Sequence, residues 1–427
     1  MTEIILRRLR NKRILILGFG REGRSSLNFI LRHFPEAVTG IADQKPIDPQ
    51  EFRLSSKQQL NLHTGPSYLD CVSDYDIILR SPGINLNLLN GVRTEISSQT
   101  DLFLEAYAPR VIGITGTKGK STTSALIHHL LTASGEHSLL TGNIGIPCFD
   151  IIPDIEDNTH IVFELSANQL QDVRHSPGIA VLLNIFEEHL DYFGSMQHYK
   201  AAKFNIVRFG KQDDVAIIHH SLADEVPELA SGITYFPGSG LQLPDINSLS
   251  IRGEHNLLNI EAALLAVREA GADINDINAR LASFRGLPHR LEYLGAHQGI
   301  HFYNDSIATI PEAAIAAMKA LGRVDYLLLG GYDRGISYDI LAEFLTVFPT
   351  KQIMLTGEAG MRIAGLLRQK GSSNLMFYKT LDEAVAYVKT NAQPNDCCLL
   401  SPAAASYDQY QNFEQRGDLF RKLICIE

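Results

Sequence analysis

Short apolar runs along the chain alternate with longer stretches in which apolar residues recur every three or four positions. The run Ile14–Leu17 is followed by such a helical stretch, and the later runs at 161–165 and 181–184 each end in polar residues. This alternation predicts repeated strand–helix–strand units and buried parallel sheets. Because the carboxyl ends of parallel strands meet at one edge, we expect the functional side chains in the loops that follow these runs.

The pattern predicts an α/β protein with three domains. The first, Rossmann-like, spans residues 1–106, and a central domain with a mostly parallel sheet spans 107–291. The segment Gly286–Arg290 then interrupts the pattern, and hairpin-like strands and further strand–helix alternation follow. We therefore place a third, Rossmann-like α/β domain at 292–427.

Composition narrows the class of protein. Apolar residues make up 45% of the 427 residues and charged residues 20%, which is ordinary for a compact enzyme. With 38 basic and 48 acidic residues, the formal charge of -10 predicts no nucleic-acid partner and no anionic membrane surface. No apolar run approaches the roughly 18 residues of a membrane span, so we expect a cytoplasmic protein. Five scattered cysteines predict reduced, mostly buried thiols.

The first glycine-rich loop fits a dinucleotide-binding fingerprint. Gly18, Gly20 and Gly23 permit a tight turn and let a pyrophosphate approach the amino terminus of the next helix. Asp43 stands where an acid that binds ribose belongs. Taken alone, the loop is compatible with a nicotinamide cofactor, with another nucleotide diphosphate, or with a purely structural turn.

The second glycine-rich loop, residues 113–122, is the stronger signal. Its backbone amides can hold phosphate oxygens, Lys120 supplies a cation and Ser121 can hold Mg²⁺. The loop departs from the common pattern by one residue, because Gly113 stands one position before the expected glycine. Flanking strand and helix patterns nevertheless predict a phosphate loop.

Three further residues are chemical candidates with competing structural interpretations. Glu164 ends an apolar run, where a carboxylate is either a Mg²⁺ ligand or a helix cap. His189 follows another run, but a lone histidine is usually structural. Lys203 shares a helix face with Tyr199, and the sequence alone favours a solvated lysine.

Seven short motifs follow one another along the chain: Gly113–Thr122, Gly142–Gly145, Glu164–Ser166, Glu188–His189, Ala201–Lys203, Gly253–Asn256 and Leu287–Arg290. In this order they resemble the motifs of the Mur ligase superfamily, ATP-dependent enzymes that form amide bonds in peptidoglycan assembly. Four later motifs are Asn304–Ser306, Leu329–Gly331, Leu400–Ala403 and Asn412–Gly417. They resemble those of the member that adds D-glutamate to UDP-N-acetylmuramoyl-L-alanine. The resemblance spans essentially the whole chain.

The resemblance implies a role for each candidate residue, and it implies that the first glycine loop holds UDP instead of a nicotinamide. The UDP-substrate contacts would be Gly18, Gly20, Gly23, Asp43, Ser81, Gly83 and Asn143. The ATP contacts would be Gly116, Thr117, Lys118, Gly119, Lys120, Ser121, Thr122, Asn256, Arg290 and Asp305. Mg²⁺ would be held by Ser121, Glu164, His189 and a carbamylated Lys203. The catalytic residues would be Lys120, His189 and Lys203, with His189 a candidate base, and the glutamate contacts would be Thr309, Arg334, Ser406 and Phe413. We also expect a monomer.

The chain departs from the family pattern near the incoming amino acid. Ile307 stands where a lysine is usual, Arg334 replaces another lysine, and Tyr407 replaces a leucine. The segment Ser166–Asn168 also differs from the usual Ser-Ser-Phe. These changes leave L-glutamate as an alternative to D-glutamate. Two alternatives from other classes are a NAD-dependent oxidoreductase and a non-catalytic nucleotide-binding regulator.

Overall fold

The structure, a computed structural model, describes residues 1–49, 52, 59–226, 232–244, 249, 251, 255–273 and 276–425. Contacts among these residues divide them into two compact units: the first lies within 1–244 and 255–280, and the second contains residues 249, 251 and 281–425. Each of the three predicted domains contains one sheet, so the α/β fold class is confirmed. The domain boundaries themselves remain a prediction.

The first unit contains a five-stranded sheet that is parallel throughout, in the order β3-β2-β1-β4-β5. Its strands are β1 (Ile14–Leu17), β2 (Val38–Asp43), β3 (Gln59–Thr64), β4 (Ile77–Arg80) and β5 (Glu95–Ser97). Every residue of β1 is buried. Burial on both faces explains why the run is continuously apolar, as predicted.

A second parallel sheet in the same unit has the order β11-β10-β9-β6-β8-β7. Its strands are β6 (Val111–Thr115), β7 (Ser138–Gly142), β8 (His160–Glu164), β9 (Ile179–Leu182), β10 (Val215–His219) and β11 (Gly232–Phe236). β6 lies between β8 and β9, so the loops after these three strands are neighbours. The predicted phosphate loop follows β6, Glu164 is the last residue of β8, and the segment before His189 follows β9. These predicted site residues therefore lie at one edge of the sheet.

Helices complete the first unit. They are α1 (Thr2–Leu9), α2 (Arg21–His33), α3 (Gln99–Tyr107), α4 (Lys120–Ala133), α5 (Ala167–Leu170), α6 (Leu190–Phe193), α7 (Met196–Arg208) and α8 (His255–Glu269), followed by α9 (Ile277–Ser283) at the boundary of the two units. Gly23 packs α2 closely against the first loop, because a Cβ at this position would lie 2.3 Å from the Gly18 carbonyl oxygen. The third glycine of the fingerprint is therefore required by packing.

The second unit is built on a six-stranded sheet in the order β12-β13-β17-β14-β15-β16. Its strands are β12 (Glu292–His297), β13 (Ile300–Asn304), β14 (Tyr326–Gly330), β15 (Gln352–Thr356), β16 (Leu375–Phe377) and β17 (Cys397–Leu400), and its helices are α10 (Pro311–Leu321), α11 (Asp339–Val347), α12 (Gly357–Gln369), α13 (Leu381–Asn391) and α14 (Phe413–Cys425). β12 and β13 form the predicted hairpin, and all other strand pairs are parallel.

The predicted thiols are buried wherever the structure describes them. Cys71, Cys148, Cys397 and Cys398 are free and buried. Burial raises the pKa of Cys71 to about 11 and that of Cys397 to about 12. None of the helices in the described ranges combines the length and apolar character that a bilayer crossing requires.

Candidate active site

The second glycine loop connects β6 to α4, as the sequence predicts for a phosphate loop. The Thr117 amide donates to the Asn184 carbonyl oxygen at 2.7 Å, and the Asn184 side chain accepts from the Lys118 amide at 2.9 Å. Gly119 has a φ of 90°, and a Cβ there would lie 2.4 Å from Asn259 Oδ1. The loop is thus held from two sides, by the segment after β9 and by α8.

Helix α8 also brings the predicted ATP contact Asn256 close to this loop. Asn256 is buried, and its Oδ1 accepts from Asn259 Nδ2 at 2.9 Å. Asn259 in turn accepts from Thr123 on α4 at 3.3 Å. Asn256 and the phosphate loop, more than 130 residues apart in sequence, are therefore parts of one hydrogen-bonded assembly.

Two lysines converge on one carbonyl group of the phosphate loop. Lys120 Nζ and Lys203 Nζ each donate to the Gly116 carbonyl oxygen at 2.8 Å. The Lys203 side chain is buried and lies over the Tyr199 ring at 4.8 Å. The expectation of a solvated lysine, drawn from sequence alone, is wrong because α7 turns Lys203 into the site.

The environment of Lys203 favours its neutral form. Burial, assisted by the nearby charge of Lys120, lowers the pKa of Lys203 from 10.5 to about 6. Burial thus favours the form of the side chain in which Nζ has a free lone pair. A buried neutral amine beside a phosphate loop is a nucleophile suited to modification.

Glu164 ends β8 beside Asn143, the residue that follows β7. Asn143 Nδ2 donates to Glu164 Oε1 at 2.7 Å, and the Asn143 amide donates to the Glu164 carbonyl oxygen at 2.9 Å. Glu164 Oε2 is buried and has no hydrogen-bond partner in the described protein. Such an unsatisfied carboxylate oxygen fits a bound cation.

The predicted metal ligand His189 is far more exposed than Glu164. His189 has a φ of 58° at the start of α6, and 59% of its side chain is exposed. Over the described ranges, His, Cys, Asp and Glu side chains do not gather in groups of three that could hold a metal. Ligands of other kinds would complete a Mg²⁺ shell: the Ser121 hydroxyl, phosphate oxygens or a carbamylated Lys203. This composition fits Mg²⁺, which is often held by one or two carboxylates together with substrate phosphates.

An ion pair joins the phosphate loop to the segment before His189. Lys118 Nζ donates to Glu188 Oε1 at 2.9 Å. Burial opposes ionisation of Glu188, but the hydrogen bond and charge of Lys118 prevail and lower its pKa. The pair connects the phosphate loop to the segment that follows β9.

The predicted UDP contacts of the first sheet lie at the carboxyl ends of β1, β2 and β4. Ser81 Oγ donates to the Gly18 carbonyl oxygen at 2.6 Å. The two carboxylate oxygens of Asp43 accept from the amides of Phe19 and Lys45 at 2.7 and 2.8 Å. Asp43 thus shapes the loop that contains Gly18 and Gly20. Gly83 has open space around it.

A cleft of about 190 Å³ lies between these loops and the second sheet. It is lined by Arg21, Glu22, Pro82, Gly142, Asn143, Pro147, Ser166 and Gln169. Its walls come from the first glycine loop, from the Ser81–Gly83 segment and from the residues after β7 and β8. A ligand that contacts the first loop can therefore extend along this cleft to Asn143, whose side chain donates to Glu164.

Arg290 and Asp305 lie in the second unit. Asp305 is buried, and it accepts from Ser401 Oγ at 2.7 Å and from the Leu291 amide at 3.0 Å. Burial raises the pKa of Asp305 to about 7. The residue therefore connects the ends of β13 and β17 with the segment that carries Arg290.

The residues predicted to bind glutamate also belong to the second unit. Arg334 Nη2 donates to the Thr309 carbonyl oxygen at 2.6 Å. Ser406 is buried in the segment after β17, and the Phe413 carbonyl oxygen accepts from Ser306 Oγ at 2.8 Å. These contacts place the predicted residues at the carboxyl edge of the sheet.

Sequence reasoning missed the residues that hold these loops in place. The buried guanidinium of Arg416 donates to Ser306 Oγ at 3.0 Å and to the carbonyl oxygens of Ser306, Ala404 and Ala405. In the first unit, Arg80 has an equivalent role. The sequence does contain a signal for Arg80, because a charged residue directly follows the apolar run Ile77–Leu79. A cation that is buried there needs specific partners.

Together, the phosphate loop, its two lysines and the polar residues at the sheet edges define a nucleotide-using α/β enzyme. Residues 12–95 match the Mur ligase MurD-like N-terminal domain, 114–234 the Mur ligase middle domain and 289–404 the Mur ligase glutamate ligase domain. The chain belongs to the Mur ligase family.

Individual relatives agree with this assignment. The chain is 33% identical to the UDP-N-acetylmuramoylalanine–D-glutamate ligase of Geobacillus kaustophilus, with 96% of each chain covered. It is 31% identical to the enzyme of the same name from Acetivibrio thermocellus, with 98% of this chain and 97% of that one covered. In fold it is similar to the UDP-N-acetylmuramate–alanine ligase MurC of Thermotoga maritima, with a TM-score of 0.58, 16% identity and coverage of 96% and 99%.

The comparisons confirm the predicted family and the predicted enzyme class, a ligase. They also assign the first glycine loop to a ligase domain and not to a NAD-dependent oxidoreductase. The roles of individual site residues remain predictions, whereas their positions at the sheet edges are now described.

Proposed function

We propose that the chain is an ATP-dependent ligase that joins D-glutamate to UDP-N-acetylmuramoyl-L-alanine in peptidoglycan precursor synthesis, acting as a monomer in the cytoplasm. The observation that carries the proposal is the convergence of Lys120 and Lys203 on the Gly116 carbonyl oxygen, beside Glu164 and Asn143. The names of the near full-length relatives supply the substrates.

The first chemical step activates the acceptor. An oxygen of the alanyl carboxylate attacks the γ-phosphorus of ATP, the bond to the bridging oxygen breaks, and ADP leaves. Lys120 offsets the negative charge that spreads over the transferring phosphoryl group. The product is an acyl phosphate, whose phosphate is a far better leaving group than hydroxide.

The second step forms the amide bond. The amine of glutamate attacks the carbonyl carbon of the acyl phosphate, a tetrahedral intermediate forms, and phosphate leaves as the amine loses a proton. We assign the positioning of the glutamate to Thr309, Arg334, Ser406 and Phe413. Arg334 offers a planar, two-pronged donor to a carboxylate, where a lysine would offer a single point charge.

Mg²⁺ would be held by Ser121, Glu164, His189 and a carbamylated Lys203, and when bound it would neutralise phosphate charge. Two features of the chain support this assignment. Glu164 has an unsatisfied buried oxygen, and burial lowers the pKa of the Lys203 amine to about 6, which favours its neutral form. Addition of that amine to carbon dioxide forms an N–C bond, releases a proton and converts the residue to an anion.

Phosphate release from ATP tests the proposal. The reaction is run with UDP-N-acetylmuramoyl-L-alanine and with D-glutamate, L-glutamate or no amino acid, and the product is identified by mass. We expect release and product only with D-glutamate. Release with L-glutamate alone would transfer the function to that substrate, and release with neither would refute both.

A pair of variants shows whether any release belongs to this site. Lys120→Met should abolish it, because the cation that faces the transferring phosphoryl group is lost. Lys211→Met, at an exposed lysine in the same unit, should leave it unchanged. Sedimentation of the active protein checks the monomer.

A further inference from the structure

The loop after β4 is held against the second sheet by a buried arginine. The Arg80 side chain is fully buried, and its Nε donates to Asp172 Oδ2 at 2.6 Å. Asp172 is itself only 7% exposed. The pair lies at the seam between the first sheet and the segment that follows α5.

The remaining donors of Arg80 hold two backbone segments at once. Nη1 donates to the Ile84 carbonyl oxygen at 2.7 Å, and Nη2 donates to the Asn168 carbonyl oxygen at 2.8 Å. Only a planar, forked cation reaches an aspartate and two carbonyl groups in different directions. Arg80 therefore fixes the distance between the loop 81–84 and α5.

Two side chains, one on α5 and one on α6, make further hydrogen bonds to the same loop. Asn168 Nδ2 donates to the Pro82 carbonyl oxygen at 3.2 Å. The Tyr192 hydroxyl donates to the Ile84 carbonyl oxygen at 2.9 Å. Asn168 stands where the family usually has phenylalanine. The side chain that departs from the family pattern therefore makes a hydrogen bond that phenylalanine could not make.

The loop held in this way forms one wall of the cleft described above. Pro82 faces that cleft together with Asn143, Ser166 and Gln169. A shift of the loop 81–84 would change the width of the cleft and would leave the phosphate loop in its position. The position of the loop should therefore affect a ligand in the cleft more than it affects ATP.

We propose that Arg80, Asp172 and Asn168 are positioning residues for the acceptor, which set the loop 81–84 against α5 and so determine the affinity for the UDP-sugar substrate. This inference rests on the proposed function for the identity of the acceptor. The connection itself rests only on the contacts of the first unit.

Arg80→Lys is the variant that separates positioning from stability. Lysine keeps a cation opposite Asp172 but cannot also reach Ile84 and Asn168. We expect the KM for UDP-N-acetylmuramoyl-L-alanine to rise at least tenfold, with the KM for ATP little changed and the urea midpoint lowered less than in Arg80→Met. The matched control is Arg174→Lys, an exposed arginine two residues beyond Asp172, which should change neither KM.

Two further variants keep the test decisive if Arg80→Lys is poorly stable. Asn168→Ala removes one side-chain bond and leaves its carbonyl group for Arg80, so the acceptor KM should rise about threefold. Arg80→Met combined with Asp172→Leu removes both buried charges, and it should recover much of the stability lost in Arg80→Met alone while the acceptor KM stays high. Recovery of both properties in the double variant would overturn the proposal, as would an equal rise in the KM for ATP.

Hydrogen–deuterium exchange provides a readout without substrate. In Arg80→Lys we expect the amides of Ser81, Gly83 and Ile84 to exchange at least tenfold faster, with β1 unchanged. Unchanged exchange in the loop would refute the positioning role. If wild-type protein shows no acceptor-dependent turnover, the proposed function fails, whereas this exchange result still decides whether Arg80 holds the loop.

Discussion

Glu22 offers a quantitative test of the electrostatics at the seam between the two sheets of the first unit. It is the second residue of α2, and its Oε1 accepts from Gln169 Nε2 at 2.7 Å. Its Oε2 is buried without a hydrogen-bond partner among the described residues. Replacement by glutamine preserves the shape of the side chain and removes its charge.

The expected size of the effect follows from the titration of this carboxyl group. Burial raises the pKa of Glu22 from 4.5 to about 7, against the opposing effects of Gln169 and Arg80. The folded protein therefore holds this proton more tightly than the unfolded chain. Its contribution to stability is present below pH 4.5 and is lost as the pH rises through 7. At roughly 1.4 kcal/mol per pH unit, the loss over the whole range is at most about 3.5 kcal/mol.

Urea unfolding at pH 5.5 and pH 8.5 measures this loss, with the transition of the first unit assigned by hydrogen exchange. About one pH unit of the loss has already occurred at pH 5.5, so Glu22→Gln should gain about 2 kcal/mol relative to wild type between the two pH values. Glu312→Gln is the matched control, since Glu312 is also the second residue of a helix but is exposed. A pH-independent effect of Glu22→Gln, or an equal effect in the control, would refute the reasoning.

Three other outcomes are expected. Gly23→Ala should destabilise the protein by about 2 kcal/mol or more, because its Cβ would press on the Gly18 carbonyl oxygen, whereas Gly20→Ala, with open space around it, should change the urea midpoint little. Lys203→Ala should lose ligation and regain part of it with added formate or acetate if the functional group is a carbamate; the absence of rescue by either anion would count against that. Arg334→Lys should raise the KM for D-glutamate several-fold and leave the KM for ATP unchanged, and an equal change in both would point to a structural role.

Apolar periodicity predicted the strands because burial on both faces of a parallel sheet leaves little freedom of composition. β1 is an example, because all of its residues are buried. The phosphate loop could be recognised because its glycines and Lys120 lie within ten residues. A binding motif whose residues are this close together in the chain can be recognised from sequence alone.

Residues that act through distant partners could not be predicted in this way. Lys203 has no sequence neighbour that indicates burial, and its environment arises only when α7 packs beside the loop after β6. Arg80 and Asp172 are 92 residues apart and lie on different sheet layers. Their pairing depends on how the two sheets pack, which periodicity does not encode.

The burial of the cysteines has a practical consequence for spectroscopy. Alkylating dyes react with the thiolate, and Cys148 and Cys398 are fully enclosed with pKa values raised by burial. Once Cys425 is replaced by serine, the four native thiols can stay in place. Cysteines introduced at the exposed positions Asp157 and Val347, one in each unit, would then take up a donor and an acceptor dye. Energy transfer between the dyes would report the distance between positions 157 and 347 during turnover, in a protein that has lost only one of its native thiols.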